Sequence, residues 1–182
     1  MKHAAFFRNL NLGRPQCPTK AQFEAAFVDA GASSAASFLT NGTMVFDAGS
    51  TAAARKMLAA ACEAMKASCG LVEPAFLRSL RQLSGLAQEQ PFAEVDEQQV
   101  YACCITFLHP KAKAKLDTGT LPIESARGDC SIFACTGAEA FSTVQKNGNT
   151  VGSPNAMLEK LLRLPATSRN WNTVLRLLDK HG

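Results

Sequence analysis

The dipeptide Asn41-Gly42 lies between two apolar runs, Ser37-Phe38-Leu39 and Met44-Val45-Phe46, and no other short segment constrains the fold as tightly. Both residues tolerate positive φ, so together they mark a hairpin turn joining two antiparallel strands. A helical pattern stands on each side of that hairpin. Upstream, Phe23, Phe27 and Ala30 recur at helical spacing over residues 20–30, with Thr19 as N-cap and Gly31 as the stop. Downstream, residues 50–68 are alanine-rich, carry Leu58, Cys62 and Met65 on one face, and end at Gly70. Apolar stretches at 4–8 and 71–77 supply one more strand at each end. The order β-α-β-β-α-β is the split-βαβ, or ferredoxin-like, pattern, with both helices on one face of an antiparallel sheet.

The rest of the chain predicts a second β-rich unit. Residues 78–98 read as a short helix and an acidic connector holding Glu89, Glu94, Asp96 and Glu97. Residues 99–108 form a strand ended by His109-Pro110, and Lys111, Lys113 and Lys115 follow in a short helical stretch. A strand pair over 121–127 and 130–136 turns at Gly128-Asp129, and 140–146 adds a strand before Asn147-Gly148. Ser153 and Pro154 suit an N-cap and first turn. The helix they open places Leu158, Leu161 and Leu162 on one face and stops at Pro165. After Thr167-Ser168, a last helix buries Trp171, Val174, Leu175 and Leu178. The expected class is α+β: two ferredoxin-like lobes with antiparallel sheets, closed by a C-terminal helical pair. The lobes would be 1–80 and 81–182, or one continuous domain over 1–182, and no sequence repeat relates them.

Several chemistries have no footprint in the sequence. A 47% hydrophobic fraction suits a globular chain and is too high for disorder. No apolar run reaches the roughly 18 residues of a spanning helix, so no membrane partner is expected. Met1 to Arg8 reads as a first strand rather than a secretory signal. The seven cysteines are odd in number and form no CxxC, which points to reduced, buried thiols and a cytoplasmic setting. Walker-type and dinucleotide loops, HExxH and zinc spacings are missing, so no cofactor and no metal is expected. His109 is the one mid-chain histidine, set before a proline as in a surface loop, and no catalytic residue is identified. An enzyme built on this chain would work mainly with Arg, Asn, Thr, Asp or Glu.

Charge is unevenly spread. Residues 1–140 carry thirteen bases and thirteen acids, so the net +4 comes from residues 141–182. Lys146, Lys160, Arg163, Arg169, Arg176 and Lys180 stand there against Glu159 and Asp179. Such an excess fits a phosphate or nucleic-acid partner, or a solvated helical face. Two segments concentrate donors. Arg8-Asn9-Leu10-Asn11-Leu12-Gly13-Arg14 leaves the first strand, where it can offer backbone N–H groups and guanidinium to an anion. It equally fits a turn whose asparagines bond their own backbone. Thr167-Ser168-Arg169-Asn170-Trp171-Asn172-Thr173 is placed at a helix N-terminus, which favours negative charge. In the alternative, Arg169 is a structural clamp and Trp171 a core residue.

Together these segments resemble domain-of-unknown-function family 1697, a group of small bacterial proteins. The family's opening motif, Leu-Arg-Gly-Ile-Asn-Val-Gly-Gly, is similar to Phe7 through Arg14, which keeps Arg8, Asn11 and Gly13. Its Ser-Gly-Asn-Val-Val-Phe is similar to Asn41 through Phe46, and its Asn-Pro-Phe to Gln90-Pro91-Phe92. Its closing segment is similar to Asn155 through Lys160 and Pro165 through Val174. Asn9 and Arg14 replace motif glycines, Thr43 replaces an asparagine, and Val151-Gly152 replaces a Ser-Lys pair whose lysine Lys146 could supply. The resemblance implies a two-lobed α+β fold with ferredoxin-like halves and no established activity.

These readings converge on a binding module for an anionic ligand, a nucleotide or nucleic-acid phosphate. The binding residues would be Arg8, Asn9, Asn11, Arg14, Asn41, Arg169 and Asn170. One alternative is a small enzyme acting on a phosphorylated or carboxylated metabolite. Another is that the same residues are internal braces, because buried charge persists only when paired. Oligomeric state is left open.

Overall fold

Residues Ala4 to Phe7 are all buried to within 1% of complete exclusion, which is why this stretch forms a central strand rather than an edge. The fold is taken from a computed structural model that describes residues 1–115 and 118–182. The chain divides into two units, Met1–Gly85 with Leu177–Gly182, and Leu86–Arg176.

In the first unit the order is β1 (Lys2–Phe7), α1 (Lys20–Asp29), β2 (Ala35–Phe38), β3 (Thr43–Asp47), α2 (Thr51–Cys69), β4 (Ala75–Ser79) and α3 (Leu80–Gln88), whose last residues belong to the second unit. The sheet order β2-β3-β1-β4 is antiparallel throughout. Thr19 caps α1 by a reciprocal box with Gln22, and Ser79 and Gln82 repeat that box at α3. Ser50 opens α2 and Gly70, in the left-handed region, closes it. Ala5, Phe7, Met44 and Phe46 face Phe23, Phe27, Ala54, Ala61 and Met65 of the helices. The rings of Phe7, Phe23 and Phe27 meet edge-to-face with centroids 5.2–6.3 Å apart. Phe46 lies against Phe27 at 4.8 Å. Burying each such ring contributes about 1.5–3 kcal/mol.

The hairpin departs from the expected turn. Phe38 pairs with Thr43, so the loop has four residues, and positive φ falls on Leu39 and Gly42 rather than on Asn41. Gly42 is required sterically as well: a Cβ there would stand 2.7 Å from Leu10 Cβ. The last strand of this unit also begins later than expected, at Ala75.

The second unit holds β5 (Ala102–Leu108), 3-10 turns at Pro110–Ala114 and Thr118–Thr120, β6 (Ile123–Glu124), β7 (Cys130–Cys135) and β8 (Glu139–Val144). A ribbon, β9 (Lys146–Asn147) and β10 (Thr150–Val151), follows. Then come α4 (Pro154–Leu162), β11 (Ala166–Asn170) and α5 (Trp171–His181), whose last turns belong to the first unit. The sheet order is β11-β5-β8-β7-β6. Without its edge strand β6, this is the order of the first sheet, with β5, β7, β8 and β11 standing where β1, β2, β3 and β4 stand. The fold class is therefore the expected α+β arrangement of antiparallel sheets with C-terminal helices. Its closing helices are separated by a strand, however, because Ala166–Asn170 pairs with β5 along its full length.

Leu158 and Leu162 are buried in α4 beneath Leu108, Ile132, Ala140 and Ala166. Leu161, expected on the same face, is 52% exposed, and Leu175 of α5 is also exposed. Trp171 packs in the core against Phe92 and Phe141. Among the described residues no helix is long and apolar enough to cross a membrane.

Candidate functional site

The donor-rich loop after β1 is held by its own backbone. Leu10 is buried and anchors it in the first unit's core. The amides of Phe7 and Leu12 donate to the carbonyls of Gly42 and Thr40, which seats the loop against the hairpin turn. Those of Arg8, Gly13 and Arg14 donate to Pro74, Pro18 and Asn11. The backbone N–H groups of Arg8, Leu12, Gly13 and Arg14, expected to face an anion, are thus engaged within the protein. Asn9 takes φ +51, a conformation asparagine tolerates better than most residues, where the related motif has glycine.

Arg8 and Asn9 converge on one carboxylate. Arg8 Nη1 donates to Glu73 Oε2 at 2.7 Å, and Asn9 Nδ2 donates to Glu73 Oε1 at 3.2 Å. Both Arg8 and Glu73 are about a quarter exposed, so the pair is partly screened. Glu73 went unnoticed in the sequence because it lies 65 residues from Arg8. Asn41 accepts from the Thr43 hydroxyl through Oδ1 at 3.0 Å. Asn11 and Arg14 are exposed at the loop surface, and Arg14 makes no ion pair among the described residues.

Arg169 and Asn170 belong to the second unit, and only Asn170 stands at a helix N-terminus, directly ahead of α5. Both lie in β11, opposite Ile105 and Cys104. Arg169 is buried, and its Nη1 donates to Thr167 Oγ1 at 2.8 Å and to the Ser168 carbonyl at 2.9 Å. Desolvation pulls its pKa down to about 10. Asn170 is exposed and caps α5, accepting from Asn172 N through Oδ1. The other bases of the C-terminal quarter, Lys146, Lys160, Arg163, Arg176 and Lys180, are solvent-exposed. Lys146 Nζ stands 5.8 Å from the Tyr101 ring centroid.

Groups suited to nucleophilic or acid–base chemistry are engaged elsewhere. Burial pushes the Cys62 and Cys130 thiols up to about 11 and the Cys104 thiol to about 12, so they stay protonated. All seven cysteines are free, with Cys103, Cys104 and Cys130 buried and the other four half-buried. His109 Nδ1 accepts from Lys111 N and caps the first 3-10 turn. His3 is buried, with ring nitrogens near Met1 O and Thr51 Oγ1. Among the described residues no three His, Cys, Asp or Glu side chains are grouped to hold a metal.

The sequence reading missed a concavity of about 360 Å³ in the second unit, between the β6–β7 turn and the start of α4. Glu124, Ser125, Arg127 and Asp129 line one wall, and Ser153, Met157 and Lys160 the other. Ser125-Ala126-Arg127-Gly128-Asp129 carried the signal as a turn, but its partner wall is a helix distant in sequence.

A family model described as Protein of unknown function (DUF1697) matches residues 1–141. The chain belongs to this family. The match takes in the loop at Arg8, the hairpin and Gln90-Pro91-Phe92, and it stops before the closing segment that holds Arg169. No curated protein matches the DUF1697 chain. Among solved structures, it is similar to one described as a conserved bacterial protein from Streptococcus pneumoniae. The two share 18% identity at a TM-score of 0.65, covering 98% of this chain and 97% of the other. That likeness extends to the fold of this DUF1697 protein and not to an activity.

Proposed function

We propose that this DUF1697 protein is a binding module whose loop after β1 takes an anionic group, a nucleotide or nucleic-acid phosphate. Arg14 and Asn11 would contact the ligand. Arg8, Asn9 and Glu73 would position the loop, with Asn41 shaping the hairpin turn beside it. The observation that carries the reading is the exposed guanidinium of Arg14, which makes no ion pair among the described residues and stands on a backbone already fixed by hydrogen bonds. A preorganised loop loses little entropy when it binds. Because the contacts come from side chains at the surface, binding would be modest and strongly salt-dependent.

The test is calorimetric titration with inorganic phosphate, ATP and a short single-stranded oligonucleotide at low and high salt. Arg14→Ala should weaken binding by about tenfold, the size of one charge-assisted contact of roughly 1.4 kcal/mol. Unchanged binding in Arg14→Ala, or no binding by the parent protein, would overturn the reading.

A second reading, in which the motif arginines are internal braces, is favoured for Arg169 by its burial and its bonds to Thr167 and Ser168. Under that reading Arg169→Ala lowers stability without altering a titration.

A further inference from the structure

The dipeptide Asn-Gly occurs twice in the chain, at Asn41-Gly42 and at Asn147-Gly148, and the fold treats the two copies differently. Asn-Gly is chemically self-reactive. Glycine has no side chain to keep its backbone nitrogen away from the carboxamide of the residue before it. In a folded protein the reaction runs only where the backbone can bend to bring that nitrogen onto the carboxamide carbon.

At the first copy the two atoms are held apart. Asn41 is half-buried, and its Oδ1 accepts from the Thr43 hydroxyl. Gly42 is buried, and its carbonyl accepts from Phe7 N. A Cβ on Gly42 would stand 2.7 Å from Leu10 Cβ, so the turn has no room to swing. Moving it would also unseat the loop after β1, whose Leu12 amide donates to the neighbouring Thr40 carbonyl.

The second copy sits at the tip of the ribbon. β9 and β10 pair through Lys146 with Val151 and Asn147 with Thr150, which leaves Gly148 and Asn149 as the loop. Every residue from Lys146 to Val151 is exposed. A two-stranded ribbon this short has little stability of its own and opens readily. Gly148 takes φ +61, and nothing lies within 4 Å of the place a Cβ would occupy. Its amide donates no hydrogen bond among the described residues. The Asn147 side chain is held by a bond from Nδ2 to the Arg127 carbonyl, which at 3.4 Å is longer than an ordinary N–H···O bond.

We infer that Asn147 is a site of spontaneous modification, deamidating through a cyclic imide while the fold protects Asn41. The Gly148 amide gives up its proton to solvent base, and its nitrogen attacks Asn147 Cγ. The Cγ–Nδ2 bond breaks, and Nδ2 takes up a proton and leaves as ammonia. Water then adds to either carbonyl of the imide and reopens it. The product is aspartate, or the isomer whose backbone runs through the side chain. Water is the only co-reactant. The bond to Arg127 is lost with the amide, and the new carboxylate lowers the net charge of +4 by one within the basic C-terminal quarter. The site shares no residue with the loop after β1, so this proposal and the binding reading stand or fall separately.

The experiment is mass-spectrometric peptide mapping of the native protein aged in mildly alkaline buffer, beside the same protein unfolded in guanidinium chloride with its thiols kept reduced. Unfolded, the two Asn-Gly sites should convert at similar rates. In the native protein Asn147 should convert at least about tenfold faster than Asn41, the factor that a barrier higher by about 1.4 kcal/mol at the packed turn imposes. A methyltransferase specific for isoaspartate should label the aged native protein and should label the Asn147→Gln variant far less, because the longer side chain does not form the same imide. Native Asn147 that stays intact while the unfolded chain converts, equal native rates at the two sites, or undiminished labelling of Asn147→Gln would each overturn the assignment.

Discussion

The two units share a strand order and differ in what covers their sheets. In the first, α1 and α2 lay Phe23, Phe27, Ala54, Ala61 and Met65 over Ala5, Phe7, Met44 and Phe46. In the second, α4 is the only helix over the corresponding face among the described residues, and 3-10 turns stand where α1 would be. The residues between β5 and β6, Lys-Ala-Lys-Ala-Lys followed by Leu-Asp-Thr-Gly-Thr, carry no wide apolar stripe to bury, and Pro110 and Pro122 bound them. The face responds in kind. Thr106 and Ser168, opposite each other in register, join hydroxyls at 2.7 Å, and Ser142 donates to the Cys104 carbonyl. The aromatic residues move to the other face, where Phe92 of the connector gathers Phe133, Phe141 and Trp171 at 5.5–5.8 Å. One topology is therefore compatible with two ways of closing a core. The unit with fewer helical turns holds more buried hydroxyls and keeps an open trough at its remaining helix.

Core truncation tests this contrast most strongly. Phe27→Ala removes a fully buried ring and should cost about 3–5 kcal/mol. Leu158→Ala, the counterpart under α4, falls in the range of about 2–5 kcal/mol. Hydrogen exchange would read the first on the β1 and β3 amides and the second on β5 and β8. A larger loss from Leu158 would reverse the ranking of the two cores.

Helix starts provide a smaller and sharper test. Thr19→Ala breaks a capping box and should cost about 1 kcal/mol. Ser153→Ala should cost much less, because the Ser153 hydroxyl is not bonded to the α4 backbone. Chemical denaturation of both variants would measure the pair, and equal losses would mean that α4 is capped after all.

Thiol chemistry has the smallest effect on stability. Cys104 and Cys130 of the second unit favour the protonated thiol in the fold, so their contribution is complete below the ordinary thiol pKa of 9.0. It is lost only as pH rises through about 12 and about 11. In mildly alkaline buffer Cys130 should alkylate roughly 100-fold and Cys104 roughly 1000-fold more slowly than an unperturbed cysteine, since each unit lowers the thiolate fraction tenfold. Mass-spectrometric mapping of iodoacetamide labelling checks this. Rapid labelling of Cys104 in the native protein would show that its strand opens readily.

The first unit was legible because its signals are local. Thr19, Gly31, Gly70 and the paired apolar runs each act within a few residues, and each element formed near its expected place. The closing segment misled for the same reason. Thr167-Ser168-Arg169-Asn170 carries hydroxyls and an amide that suit a helix entrance, and Asn170 does cap α5. The four residues ahead of Trp171 became a strand only because β5 presents a free edge. The candidate site was legible as residue types and not as geometry. Arg8 and Asn9 could be singled out, but the carboxylate that holds them, Glu73, lies just ahead of β4.

The sequence by itself determined the order of strands and helices in the first unit, the breaks at Gly31 and Gly70, and the hairpin between β2 and β3. Those depend on dihedral preference and on hydrophobic period, which act over one turn or one strand. Tertiary structure decided that Leu39 and Gly42 rather than Asn41 take positive φ, that Arg169 is buried in a strand, and that Asp129 faces the start of α4. These outcomes depend on which distant surfaces meet. A carboxylate's partner, a strand's edge or a trough between a turn and a helix exists only once the long-range pairing of the sheet has formed.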